Sequence, residues 1–172
     1  MQPEYAAELI EVTERTAAEM LSVAEQVAAR RPAPGKWSIK EIVGHLIDSA
    51  AHNHQRFVRA QWTDDLLCAG YDQNAWVASQ HYQDAPWSDL VTLWRAFNRQ
   101  IARTMALLPA DVRERPRARH NLDQVAFRTV SADQPVTLDY FMRDYVEHLK
   151  HHVRQIDALL HACGESNSVQ GA

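Results

Sequence analysis

The sequence predicts an all-α protein, a four-helix bundle. Two observations carry this: long stretches free of Gly and Pro in which apolar residues recur every three to four positions, and only 5 Gly and 7 Pro in 172 residues, too few for a turn-rich β fold. A chain of this length forms one domain with a real core.

The first helix is expected from Glu4 to about Arg30, where Leu9, Ile10, Val12, Ala17, Met20, Leu21, Val23, Ala24 and Val27 form a buried stripe, and Arg31-Pro32-Ala33-Pro34-Gly35 ends it. The second opens at Ser38, because Ser38-Ile39-Lys40-Glu41 fits a capping box with Trp37 and Ile42 placed as a hydrophobic staple, and it runs to about Trp62. The third starts after Pro86 with Ser88 as cap, and Pro109 stops it. The fourth starts near Thr137, carries Leu138, Phe141, Met142, Tyr145, Val146, Leu149, Val153 and Ile156, and has its natural end at Gly164. This bounds the domain at residues 1–164 and leaves 165–172 as a polar tail. Two longer connections separate the helices. Thr63 to Ala85 holds a short helix near Asn74–Ala78, and Ala110 to Gln134 holds a β-leaning stretch from Val125 to Val130. The alternating Arg113, Arg115, Arg117 and Arg119 read as a solvated loop that pairs with acidic neighbours.

With 18 Lys+Arg against 22 Asp+Glu, the net charge of -4 argues against gripping nucleic acid through an overall field. A hydrophobic content of 46% with 23% charged residues argues against disorder. Cys68 and Cys163 make neither a disulfide scaffold nor a CxxC pair, and no adjacent base marks either as a nucleophile. The N-terminus lacks the basic start and apolar run of a signal peptide, and no apolar run reaches membrane-spanning length. The expectation is a cytoplasmic protein without nucleic-acid or membrane partners.

Histidine stands out, with nine residues, four of them between His148 and His161. His148 and His152 leave the same helix face about 6 Å apart along the axis, a separation at which two imidazoles can meet one ion. A half-exposed polar edge is the other reading of that spacing. A third ligand must come from another helix, and His45, inside the apolar run Ile42-Val43-Gly44-His45-Leu46-Ile47, is the best candidate. Taken alone, it fits equally a core histidine bonded to a carbonyl or carboxylate. His52 lies almost on the same face as His45 and is placed to support it. His54 reads as exposed, and His81, His120 and His161 carry no role.

The segment Gly35-Lys36-Trp37-Ser38-Ile39-Lys40-Glu41-Ile42-Val43-Gly44-His45-Leu46-Ile47-Asp48-Ser49 resembles the start of the second helix in the DinB-like superfamily. Gly70-Tyr71-Asp72-Gln73-Asn74-Ala75-Trp76, followed by His148-Leu149-Lys150-His151-His152, is similar to its YfiT-like branch of metal-dependent hydrolases. The resemblance implies a bundle with up-down-down-up connectivity and a divalent ion, nickel or zinc, on His45, His148 and His152. It supports first a hydrolase in which the ion activates water against a small-molecule substrate, and as the alternative a thiol S-transferase using a low-molecular-weight thiol. A non-catalytic metal-binding bundle is the third alternative, and a homodimer through an apolar helix face fits a bundle of this size. Asp72 is the first candidate for a catalytic base, if its loop folds over the site; a helix-cap aspartate is the other reading. Asp48 is a candidate acceptor for an imidazole, with Glu147 and Gln155 behind it. Tyr71 and Trp76 are candidate pocket walls. Arg56 falls near the face of His45 and either meets an anionic substrate or forms a surface salt bridge.

Overall fold

The computed structural model describes the backbone of residues 2–169 and the side chains of residues 2–162. The four long helices are α1 (Glu4–Leu21), α3 (Ile39–Arg59), α5 (Trp87–Leu107) and α8 (Leu138–Val169). Between them lie α2 (Glu25–Ala29), α4 (Gln73–Gln80), α6 (Ala110–Glu114), α7 (Leu122–Val125) and a 3-10 turn at Tyr82–Asp84. The described residues form no strand. Isolated bridges pair Leu66 with His120 and Arg117 with Val136. No helix among the described residues is long and apolar enough to cross a membrane.

Side-chain contacts fix the direction of each long helix. Trp87 Nε1 donates to the Met20 carbonyl at 2.9 Å while Arg95 reaches Glu14 at 2.8 Å, so α1 and α5 are antiparallel. His45 faces His148 and Phe57 faces Phe141, so α3 and α8 are antiparallel as well. Tyr5 bonds Asp139 and Glu8 bonds Lys150, which makes α1 and α8 parallel. Lys40 meets the Gln83 carbonyl just before α5 and His54 meets Phe97 within it, which makes α3 and α5 parallel. The order is therefore up-down-down-up, and the bundle core is filled by fully buried Leu9, Met20, Ile42, Leu46, Phe57, Trp94, Ile101, Met142 and Leu149.

Several element ends differ from the sequence expectation. The first helix stops at Leu21 rather than near Arg30, although no Gly or Pro intervenes. Ser22 folds its hydroxyl back onto the Glu19 carbonyl, and Trp87 takes the Met20 carbonyl that would have accepted from Ala24. The chain then turns into α2 and buries Ala28. Ser88 does not cap α5; Pro86 holds the N-cap position and its carbonyl accepts from Asp89 and Leu90. Thr137 does cap α8, accepting from the Tyr140 N–H at 3.1 Å. The backbone of α8 passes through Gly164 to Val169, so the expected end at this glycine does not occur: one glycine lowers helix propensity without breaking a long helix. Residues 170–172 and the Cys163 side chain lie outside the described residues. The β-leaning stretch at Val125–Val130 forms no strand, because the N–H groups of Phe127 and Arg128 both donate to the Asp144 carboxylate. The arginine run is solvated only in part. Arg115 and Arg119 pair with Asp64 and Asp65 at the surface, but Arg113 is buried on Asp139, and Arg117 is buried with its N–H groups on the carbonyls of Ala60, Val112 and Arg115.

The start of α3 is buried on all sides, so its polar groups are satisfied internally. Ser38 Oγ accepts from the Glu41 N–H and Glu41 Oε2 accepts from the Ser38 N–H at 2.9 Å, which completes the expected capping box. Glu41 also receives Arg31 at 3.0 Å and Gln83 at 3.1 Å. Burial works to raise its pKa, but Arg31, the Ser38 N–H and Gln83 outweigh burial and hold the carboxyl at about 2. Lys40 lies buried with its ammonium on Glu25 and the Gln83 carbonyl. Tyr82 is seated flat against Gly44, where a Cβ would overlap its ring, and its hydroxyl donates to Asp48 Oδ1 at 2.6 Å.

Two stability changes are expected. Gly44→Ala displaces the Tyr82 ring, unpairs buried Asp48 and lowers stability by about 1–3 kcal/mol in urea denaturation. Glu41 has a folded pKa below its ordinary 4.5, so its contribution is present above that pH and is lost as pH falls toward 2. Wild type is accordingly more stable than Glu41→Gln by about 1–2 kcal/mol at neutral pH, discounted for the exposed Arg31. Urea titrations through the acid range read the gap closing as the pH falls below 4.5.

Candidate metal centre

The antiparallel pairing of α3 and α8 sets His45 opposite His148 and His152, which lie one turn apart on α8. His45 Nε2 and His148 Nε2 are 3.3 Å apart, and one nitrogen from each of the three rings lies within 4.8 Å of the others. His148 Nδ1 faces Ser49 Oγ at 3.5 Å, and His152 Nδ1 bonds Gln155 Oε1 at 3.0 Å. With Nδ1 engaged on both α8 histidines, Nε2 is the nitrogen left to each for a shared ligand. His45 Nδ1 is buried without a protein partner, and its ring lies against Trp37 with centroids 5.2 Å apart. The Phe127 ring packs beside His148 and His151 from the outside.

Burial, followed by the neighbouring His152, lowers the His45 pKa to about 3. Burial and the other imidazoles lower His148 to about 2, and burial first of all lowers His152. All three rings are therefore neutral at physiological pH, with lone pairs available. Two ring nitrogens facing each other at 3.3 Å match the edge of a tetrahedron with bonds of about 2.0–2.1 Å, as for zinc on imidazole. Neutral imidazole suits zinc, nickel and related divalent ions. The donor set fits such an ion.

The cluster borders a cavity of about 340 Å³. One wall is a polar stripe along α3, formed by His45, Ser49, Asn53 and Arg56; Tyr71, Phe127, Phe141 and Tyr145 contribute aromatic surface around it. Asp144 also reaches this cavity, with its two oxygens accepting from the N–H groups of Phe127 and Arg128 at 2.8 and 2.7 Å. Tyr71 is raised to about 12 by burial and by Asp48, so its hydroxyl keeps its proton.

The other sequence candidates are dispersed. Asp72 is exposed at the N-terminus of α4, where Oδ1 accepts from Asn74 at 2.9 Å and Ala75 at 3.1 Å; the cavity lining there comes from Gly70, Tyr71 and Gln73. Asp48 does not reach an imidazole, because it is held by Tyr82, and burial raises its pKa. Glu147 pairs with Lys150 and Arg128 at the surface. Gln155 is the candidate that touches a cluster histidine. His52 stacks on Tyr71 at 4.1 Å beside Trp76 and does not contact His45. His54 is half-buried against Phe97 rather than exposed, and His81 closes α4 in a left-handed conformation with φ 51°. His120 is buried, with Nε2 on the Gln134 carbonyl and Nδ1 accepting from the Leu122 N–H. Arg56 forms no salt bridge with a described residue; it turns into the cavity wall.

Ser49 and Asn53 are site residues that the sequence reading missed. Their signal was the four-residue spacing His45-Ser49-Asn53, which aligns all three on one helix face. Phe127 and Asp144 had no signal, since only the fold of the second long connection brings them to the site.

Comparison with known proteins agrees with the fold. The chain is similar in fold to YfiT from Bacillus subtilis, described as a probable metal-dependent hydrolase with an unusual four-helix bundle topology. The TM-score is 0.72 at 20% identity, over 95% of this chain and 90% of that one. No curated protein matches. The family model of the DinB superfamily matches residues 8–156. The chain thus belongs to the DinB superfamily.

Proposed function

We propose that this protein is a metal-dependent hydrolase acting on a small molecule bound in the cavity beside His45, His148 and His152. The observation that supports this reading is the meeting of three neutral imidazoles, two of which, His45 and His148, line an open cavity rather than a closed core. A structural ion is enclosed by four protein ligands, whereas a catalytic one keeps three and a side open to substrate. A divalent ion held there, nickel or zinc, supplies Lewis acidity toward a substrate oxygen and brings water or a thiol into its ionised range. The chain's own residues do the rest. Ser49 and Gln155 orient the two α8 imidazoles through Nδ1, and Phe127 covers the His148 ring. The Tyr71 hydroxyl, protonated at neutral pH, is a proton donor toward a leaving group in the cavity. The Asp72 and Asp144 carboxylates are engaged by backbone N–H groups, so neither is assigned as the base.

The test is elemental analysis of the purified protein with His148→Ala and His152→Ala beside it. Wild type is expected to carry about one divalent ion per chain and both variants far less, with helical circular dichroism retained. Stripping with a chelator should lower the melting temperature by several degrees, restored by re-addition, as ligand linkage requires. Wild type without metal, or variants with undiminished metal, overturns the reading. Hydrolysis of ester and amide panels by the loaded protein supports the hydrolase; turnover only with an added low-molecular-weight thiol replaces it by thiol transfer.

A further inference from the structure

We propose that Arg56 binds an oxyanion, a carboxylate or phosphate group, on the molecule whose reacting end meets the three histidines, so that the substrate is anionic. This rests on reading the cavity as the active site and adds the substrate's charge class to it.

Arg56 is a half-buried cation on the cavity wall, and its contacts are all uncharged. One Nη donates to Asn53 Oδ1 at 3.3 Å, the other donates to the Ala69 carbonyl at 2.6 Å, and the guanidinium lies 5.9 Å from the Phe141 ring centre. Ten other arginine and lysine side chains form ion pairs with Asp or Glu among the described residues, and Arg56 is in none of those pairs. Buried Arg117 also lacks an acid, but its guanidinium is spread over three carbonyls with no such cavity before it. A guanidinium has five N–H donors in a fixed fork, and two contacts leave the rest of the Arg56 fork for a ligand. Asp144, the carboxylate on this cavity, is committed to two backbone N–H groups. Burial opposes the Arg56 charge, a cost that an incoming anion relieves.

Position supports the same conclusion. Arg56 stands eleven residues beyond His45, about 16 Å along the helix axis, and helical side chains lean back toward the N-terminus, which shortens the gap. Ser49 and Asn53 fill the interval on the same face. The cavity is thus a slot with imidazoles at one end, a guanidinium at the other, neutral hydrogen-bonding groups of α3 between, and on the α8 side the Asp144 carboxylate, which is held by two backbone N–H groups. An anchor remote from the reacting group orients a substrate without entering the chemistry.

The test is an NMR titration of the full-length protein, as purified and after chelator stripping, with acetate, inorganic phosphate and uncharged acetamide as probes. The reporter is the Arg56 Nε–H signal, identified by its loss in Arg56→Gln. Acetate or phosphate should shift it saturably and acetamide should not; the tighter of the two anions tells carboxylate from phosphoryl recognition. Binding by the Arg56 variants, which lack that signal, is read for every form from the backbone amide signals of Ser49 and Asn53 on the cavity wall, and Arg56→Gln should weaken it about tenfold or more, as loss of a charge-assisted bond does. Arg56→Lys should fall between, since it keeps the charge without the fork, and it decides the matter should the Gln variant fold poorly. Exposed Arg59, one turn away, is the control, and Arg59→Gln should bind like wild type. Metal content should be unchanged in both Arg56 variants. No saturable shift, an undiminished Arg56→Gln, or an equal loss in Arg59→Gln overturns the proposal. Because the stripped protein is titrated as well, failure of the metal reading shows in elemental analysis and failure of the anion site shows in the titration.

Discussion

Every residue of α3 from Ile39 to Ala50 is buried, and the rest of the structure is arranged around that constraint. A helix buried on one stripe can send its polar residues to water; this one cannot. Lys40, Glu41, His45, Asp48 and Ser49 all lie inside, where each unpaired polar group costs a substantial part of a domain's net stability. The partners come from every side: Glu25 and Arg31 from the segment after α1, Tyr82 and Gln83 from the turn before α5, and His148 from α8. The long connection between α3 and α5 therefore has a structural purpose, because its end delivers the ring and amide that α3 requires.

His45 differs from its polar neighbours. The others find a carboxylate, a guanidinium, an amide or a hydroxyl. His45 finds two more imidazoles, and its Nδ1 has no protein acceptor. Neutral imidazoles satisfy one another only in part: an N–H···N bond between the Nε2 atoms of His45 and His148, 3.3 Å apart, puts the His45 proton on Nε2 and leaves its buried Nδ1 lone pair without a protein donor. An electrophile shared among them resolves this, and a divalent ion is the electrophile that histidine nitrogens take best. The metal reading thus follows from the same burial argument that explains the capping box and the Tyr82–Asp48 bond.

The second long connection closes the other side of the site. Its backbone N–H groups at Phe127 and Arg128 are fastened to Asp144 on α8, and that places Phe127 beside His148. A connection tied at one carboxylate can shape a cavity mouth without adding a further long helix to the bundle.

The residues alone determined the four long helices, the capping box at Ser38 and the shared face of His148 and His152, because periodicity, caps and four-residue spacing are local properties of a chain. They also marked His45 as a polar group in an apolar run. Local signals failed where a distant partner decided the outcome: Trp87 ended α1 at Leu21, Asp144 kept Phe127 and Arg128 out of a strand, and Tyr82 claimed Asp48 before any imidazole could. Asp72 shows the same division, since its cap on α4 is local, while its distance from the cavity is set by how the loop packs. Tertiary structure alone brought His45 to the α8 pair and turned Arg56 inward, because both depend on α3 and α8 lying antiparallel in contact, a relation between segments that no single segment encodes.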